Sequence, residues 1–525
     1  MFASNKLKEE YWVNLSVTEE DIEFIYNLLL EKEIPLSTEV LLKSLISFRI
    51  GQEKDNSEKQ LPGKKSIYLP RDEYNTGDKL LFPSLDMKIG EIQDIREGFN
   101  PDYENLKVIQ VKFESGESKA FASNIQDHPL NHILDIPEDD PNYDPDSVYD
   151  HHEQYLSDCL KTSLTSNEDL VNIAGSWFPR SLLIDVHVGH LNLAEAILEE
   201  ADGGPIETIS LMDRVELKAN ADTKLLEFSF NLALQEDIRF DEVGPAGETL
   251  WFLNAMEPDS VKKVPMYLKY GEKNIDPNPL TEYLELFESN IYDELETWDS
   301  HGDENNRVII SLSYPHWRSG TLPLSSTLKK MFPTAYEAPR VKFTFIDEGE
   351  NKQFPGWVVR QQKYVYGLKE WYQKNNLMPG SLVIVEKGKI PGEIIVHFEK
   401  SRQNKEWIKT VLIGSDKAVV FAMLKHSISA NFNERMAVVV PDPDALDELW
   451  DKKTYQKEPI EKTILRIMRE LSKLNPQGQV HAQELYASVN VVRRSPPSMI
   501  VHHLLHAPSV EYLGDLYFRF EEKGK

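Results

Sequence analysis

The side chains that could do chemistry here are 14 histidines, one cysteine and 87 carboxylates. Cys159 stands alone, which excludes an intrachain disulfide framework and any Cys-based zinc cluster. His151 and His152 lie among acids, but adjacent residues point different ways and neither has an i, i+4 partner. His187 and His190 are three apart, and Asp185 and Asp202 make no evident third ligand. His502, His503 and His506 fall on one expected helix, where only His502 and His506 share a face. The run PDPDALDELWDKK (441–453) has the acids and lysines of a PD-(D/E)xK nuclease, but on a capped helix rather than on adjacent strands. No GxxxxGK[ST], strand-following GxGxxG, HExxH, GxSxG or CxxC occurs. The expectation is a chain that is not an enzyme, with no metal and no cofactor.

Nucleic-acid chemistry needs cations, and here their distribution matters more than their total. Lys and Arg number 58 against 87 Asp and Glu, a net charge of −29 that would repel a polyanion if it were uniform. Residues 307–409, however, hold 17 basic and 9 acidic side chains, a net of +8. Residues 458–525 hold 9 and 8, a net of +1, which leaves −38 on the remainder. One basic module sits in an acidic protein.

The elements that must position these groups come next. A chain of 525 residues, 40% hydrophobic and 28% charged, is long enough for about three to five domains. No stretch reaches the ~18 apolar residues that span a bilayer, and the N-terminus has no apolar signal-like core. The expected setting is therefore cytoplasmic, with no membrane partner. The expected fold class is multidomain α+β. Thr18 before Glu19, Glu20 and Asp21 opens one helix, and a second runs over 37–48, giving a helical segment at 1–50. A polar linker covers 51–65. Short strands between Gly and Asn turns then predict a small β-barrel at 66–130. Nine acids, three closely spaced prolines and no Lys or Arg make 131–160 an expected acidic linker. Three helices and two strands joined by DEVGPAGET predict a winged helix at 161–275, whose mostly apolar third helix suits protein contact better than a DNA groove. An acidic helix and loop follow at 276–306, then a strand-rich basic module at 307–415 and a connecting segment at 416–457. Residues 458–525 read as a second winged helix: three helices and a terminal hairpin around Gly514-Asp515.

Three resemblances attach to these segments. Gly77-Asp78-Lys79 and Ile89-Gly90-Glu91-Ile92 resemble Tudor-like or KOW-like barrels. The run FPGWVVRQQKYVYGLKEWYQKNNLMPGSLVIVEK (354–387) looks like the core of the pseudobarrel DNA-binding domain of plant auxin-response factors, also found in restriction-endonuclease effector parts. Trp357, the basic stretch 360–363, Gly367, Trp371-Tyr372 and Gly380-Ser381 carry that likeness. The family's usual Asp is Ser381 here, and the short helix opens with Leu368-Lys369 rather than Trp. The C-terminal element order resembles the HARE-HTH group, which includes the N-terminal domain of the RNA polymerase delta subunit.

The pseudobarrel resemblance implies that strand-and-loop arms contact double-stranded DNA. His316, Trp317 and Arg318 would form one arm and Arg360, Gln361 and Lys363 the other, with Lys369 on the following helix. Arg reads guanine or phosphate, Gln reads adenine, and Lys and His hold phosphates. If the C-terminal third helix enters a groove, Arg493, Arg494, Ser498 and His502 are its contacts. The competing reading makes all of these solvated surface charges or core residues, with Trp317, Trp357 and Trp371 inside. The function expected is a non-enzymatic DNA-binding adaptor of transcription or the nucleoid, with a protein partner such as the transcription machinery. The alternatives are a protein scaffold that binds no DNA, and an effector or accessory subunit of a restriction or defence system.

Overall fold

Helix starts in this chain are marked by polar or proline residues, and the computed structural model shows where they lead. It describes residues 7, 9–59, 67–82, 85, 88–99, 106–113, 116–126, 128, 131, 141–272, 275–296, 306–335, 338–390, 392–415 and 417–521. The chain divides into two units, one comprising Met1–Ile184 with Ala221–Leu225, the other Asp185–Asn220 with Leu226–Lys525. The architecture is mixed α+β with several separate sheets. No helix among the described residues is long and apolar enough to cross a membrane.

The first unit contains α1 (Glu9–Val13), α2 (Glu19–Lys32), β1 (Leu36–Ser37) and α3 (Thr38–Lys59). Thr18 and Asp21 form a capping box, and buried Asp21 also pairs with Arg49. The linker expected at 51–65 is in fact helical to Lys59; residues 60–66 lie outside the described set. Then come β2 (Lys79–Phe82), β3 (Lys88–Glu97), β4 (Lys107–Phe113) and β5 (Ser118–Ser123), an antiparallel meander around Tyr68, Phe82, Ile109 and Phe113. Among the described residues no ladder joins β2 to β5. Instead the segment 67–72 bridges them, Tyr68 N–H donating to Leu81 and Tyr68 Oη to Ala122.

The acidic linker expected at 131–160 is corrected by α4 (Pro145–Thr165). Asp144 caps it by accepting from the Ser147 N–H, Pro145 occupies the first turn, and Val148, Leu156, Leu160 and Leu164 are buried. Like charges do not melt this helix because the acids lie on its outer face and at its positive end. Residues 132–140 lie outside the described set. After β6 (Leu170–Ile173) and β7 (Ser176–Pro179), a three-stranded sheet forms in the order β1-β7-β6. The start at 161 of the second expected domain is thus also corrected, because β6 and β7 complete the first unit.

Next come α5 (Val188–Glu200), β8 (Ile206–Glu207), α6 (Thr208–Arg214), α7 (Thr223–Glu236), β9 (Phe240–Glu242) and β10 (Leu250–Leu253), with sheet order β8-β10-β9. This repeats the first module: helix, strand, helix, helix, strand, strand, the last strand lying between the other two. The repeat extends to side chains. Trp177 Nε1 donates to Thr38 Oγ1 at 3.0 Å, and Trp251 Nε1 donates to Thr208 Oγ1 at 3.1 Å. In each case the tryptophan of the last strand holds the threonine that opens the second helix. Sequence reasoning missed this repeat, whose signal is Trp-Phe on the last strand and Thr after Leu-Ser or Ile-Glu.

Then α8 (Asp259–Lys262) and α9 (Thr281–Leu284) precede a stretch of turns. Of the acidic helix expected within 276–306, the described residues form only the four residues of α9. Its continuation is irregular because Phe287, Ile291, Asp293, Glu294 and Glu296 must all be buried, which no single helix face allows. The basic segment supplies β11 (Arg307–Ser311), α10 (Tyr314–Ser319), β12 (Thr321–Pro323), α11 (Ser326–Lys329), β13 (Arg340–Asp347), β14 (Lys352–Val359), β15 (Tyr364–Tyr366), α12 (Lys369–Lys374), β16 (Leu382–Lys387) and β17 (Glu393–His397). Its strands form one curled half-barrel in the order β11-β16-β17-β13-β14-β15-β12, parallel only at β13–β17. Val341, Phe343, Phe345, Val365, Trp371 and Val383 fill it. The expected boundary at 415 cuts a hairpin, β18 (Lys400–Ile413) with β19 (Val419–Ala430), so 416–457 is not merely a connector. After α13 (Pro443–Asp451) the third module follows: α14 (Ile460–Ser472), β20 (Gln479–His481), α15 (Ala482–Val489), α16 (Pro497–His506), β21 (Val510–Gly514) and β22 (Tyr517–Phe520), in sheet order β20-β22-β21.

Candidate nucleic-acid interface

The eleven expected contacts separate into buried and exposed groups. The first arm is not an arm. Ser313 and Pro315 start α10, and Gly320, at φ +68, ends it. A Cβ at Gly320 would stand 2.6 Å from the Lys369 nitrogen, so this turn packs directly on α12. His316 is buried, its Nε2 2.9 Å from Glu294 and its Nδ1 2.8 Å from Thr321. Trp317 Nε1 donates to the Leu377 carbonyl at 2.7 Å. Arg318 pairs with Asp447 and Asp444 of α13, and Tyr267 Oη donates to Asp447 at 2.6 Å.

The C-terminal contacts are corrected in the same way. Arg493 donates to the Tyr455 and Glu458 carbonyls at 2.8 and 2.6 Å and pairs with Glu272. Arg494 is buried against Asp293 and Glu294. Asp293 also accepts from Tyr486 Oη at 2.8 Å, and the Ser498 N–H donates to Glu296 Oε1 at 2.7 Å. Burial alone would raise the Glu294 carboxyl; Arg494 and His316 instead hold it well below the usual carboxylate range. Glu296 is raised by burial and by Asp293. Side chains chosen for a DNA groove thus tie the 285–296 segment to the half-barrel and the third module. His502 is partly exposed, its ring stacked on His506 at 4.2 Å, and burial with His506 lowers its pKa. That favours the neutral ring, a poor phosphate ligand. No group of three metal-ligating side chains occurs among the described residues.

Some of the module's 17 cations are paired. Arg307 pairs with Glu386, Arg318 with Asp447, Arg340 with Asp241 and Glu257, Lys374 with Glu350, and buried Lys409 with Glu484. Several of these partners lie in neighbouring segments, so the basic module neutralises acids of its own chain.

The second arm is different. Arg360, Gln361, Gln362 and Lys363 form the turn between β14 and β15. Lys363 closes it with φ +56, and its N–H donates to the Arg360 carbonyl at 3.3 Å. Gln361, Gln362 and Lys363 are exposed. Arg360 Nη1 donates to the Ala338 carbonyl at 2.9 Å, which orients the guanidinium without neutralising it. Beside the turn lies a cavity of about 590 Å³, lined by Arg360, Gln361, Lys363 and Lys329, by Ser325 and Ser326, and by Glu294 and Glu296. Leu324, Val358 and Pro339 supply apolar wall. Among the described residues, Arg360, Lys363 and Lys329 make no ion pair. Sequence reasoning missed Lys329 and Lys330, both exposed at the end of α11; their signal is the Lys pair following the Ser-Ser-Thr-Leu helix start. Lys369 is exposed on α12 and does not line the cavity.

The third helices of the repeated modules offer little to a groove. On α4, Asp146, Asp150, Glu153 and Asp158 are exposed. On α7 the single Lys224 faces Glu227 and Glu236 in composition, and α16 has no Lys or Arg. Comparison with protein-family models, with curated proteins and with solved structures finds no match.

Proposed function

We propose that this chain is a non-enzymatic DNA-binding adaptor that holds the duplex backbone at the β14–β15 turn. The carrying observation is that Arg360, Lys363 and Lys329 line one concavity and, among the described residues, no carboxylate pairs with any of them. Unpaired cations at a rim gain most from displacing phosphate counterions, and Gln361 between them can reach a base edge. In this reading the half-barrel is a DNA-binding pseudobarrel, the three repeated modules are winged helices, and the small meander is a Tudor- or KOW-like barrel. The acidic or buried third helices favour protein partners for the winged helices, which suits an adaptor in transcription or on the nucleoid. Acidic surface elsewhere disfavours non-specific attachment to DNA.

Fluorescence anisotropy of the full chain on a labelled duplex, over a series of salt concentrations, tests the proposal. Binding at low salt is expected, and R360A/K363A should weaken it at least tenfold and lower the salt slope by about 2. No binding at low salt, or an affinity indifferent to both changes, overturns it.

A further inference from the structure

The cavity beside the turn is larger than backbone contact requires. At about 590 Å³ it is far too small for a duplex but falls in the range of about 300–1,000 Å³ that encloses small ligands. Its chemistry is divided: cations stand at the turn, apolar wall comes from Leu324, Val358 and Pro339, and the buried Glu296 carboxyl forms part of the lining. A ligand matching that lining carries an anionic group for the cations and a flat polar group for the carboxyl. We propose that the cavity takes one unstacked nucleotide of the bound DNA, base toward Glu296 and phosphate at Arg360, Lys363 and Lys329.

Glu296 is the carboxyl with capacity for this contact. Both oxygens of Glu294 are engaged, one by Arg494 and the other by His316, whereas Glu296 is held by Ser498, whose N–H donates to Oε1 and whose side chain also bonds the carboxyl. Burial and the neighbouring Asp293 raise the Glu296 carboxyl, which favours the protonated form. A carboxylic acid offers one donor and one acceptor side by side, the complement of the pairing edge of a base. In a fully paired duplex that edge is occupied, so only an unpaired or extruded nucleotide presents it.

This inference rests on the DNA-binding reading, and the experiment separates the two. Two labelled duplexes are compared with the full chain, one fully paired and one carrying a single unpaired 2-aminopurine. Binding at least tenfold tighter to the second is expected, with a change in 2-aminopurine fluorescence. E296A should remove the preference. Because Glu296 is buried, S326W is the second variant: Ser326 is exposed at the cavity wall, and the indole fills the space. It should also bring the two affinities within twofold. Binding to both duplexes without preference, or a preference that survives S326W, overturns the cavity assignment alone. Failure to bind either duplex overturns this assignment together with the DNA reading.

Discussion

Arg494 and Glu294 form an ion pair at 2.9 Å across 200 residues of sequence, and both side chains are buried. Asp293 completes the pair from the same side, while His316 reaches Glu294 from the half-barrel. Removing one member of a buried ionic cluster leaves the others desolvated and unbalanced, at a cost of about 3–5 kcal/mol. R494A should therefore lower the stability of the full chain by roughly that amount, read as a fall in the urea midpoint. R494K should not restore it, because an ammonium cannot reproduce the guanidinium fork toward two carboxylates. A midpoint equal to wild type in R494A would show that the cluster is solvated.

Paired and rim cations should part company in one pair of assays. K329A/K363A removes two exposed cations, so the melting temperature should hold while the salt slope of DNA binding falls by about 2. R318A breaks its pairing with Asp447, so the melting temperature should fall while the salt slope holds. The opposite pattern would place Arg318, not Lys363, at the DNA.

How far the sequence was legible follows from the same residues. Period and capping read correctly wherever a helix or strand is decided locally: Thr18 with Asp21, the alternation over 340–346, and the Gly514-Asp515 turn all correspond to observed elements. Local rules failed where a distant partner decides. The acids of 144–158 looked like a linker, yet the buried stripe Val148, Leu156, Leu160 and Leu164 sits among them at helical spacing. The arginines at 493 and 494 looked like groove contacts because sequence does not show that Asp293 and Glu294 return to meet them. A net charge of +8 cannot tell free cations from paired ones. Gln361 and Lys363 of the 360–363 turn, and Lys369 on α12, kept their expected exposure.

A second cluster sets a pH dependence of unusual sign. Arg340 Nη1 donates to both Asp241 and Glu257, and Glu257 Oε1 is buried with no hydrogen-bond partner. Burial and Asp241 push the Glu257 carboxyl up to about 8. The folded chain thus keeps a proton that the unfolded chain releases near 4.5. This contribution to stability is complete below pH about 4.5 and is lost as pH rises toward 8. E257Q keeps a neutral group of the same shape. Urea midpoints should show it gaining on wild type from pH 5 to about 8, and parallel curves would refute the assignment.

His481 titrates in the opposite sense. It is buried at the start of α15, where its Nδ1 accepts from the Gln483 N–H at 3.2 Å and so caps the helix as a neutral ring. Burial, then the nearby Arg435, lowers its pKa from 6.5 to about 4. Above pH 6.5 the ring is neutral in the folded and unfolded chain alike, and its contribution is fully present. As pH falls from 6.5 toward 4 the unfolded chain takes up a proton that the folded chain refuses, so stability declines through that window. Protonation would also turn Nδ1 from acceptor to donor and leave the Gln483 N–H without its cap. H481N keeps an acceptor at the cap and does not titrate. Measured at pH 7.5, 6 and 5, its urea midpoint should fall less than that of wild type. Carboxylates that titrate at the acid end affect both proteins, so the difference between the two curves carries the test. A constant offset from pH 7.5 to 5 would mean that His481 is already solvated in the folded chain.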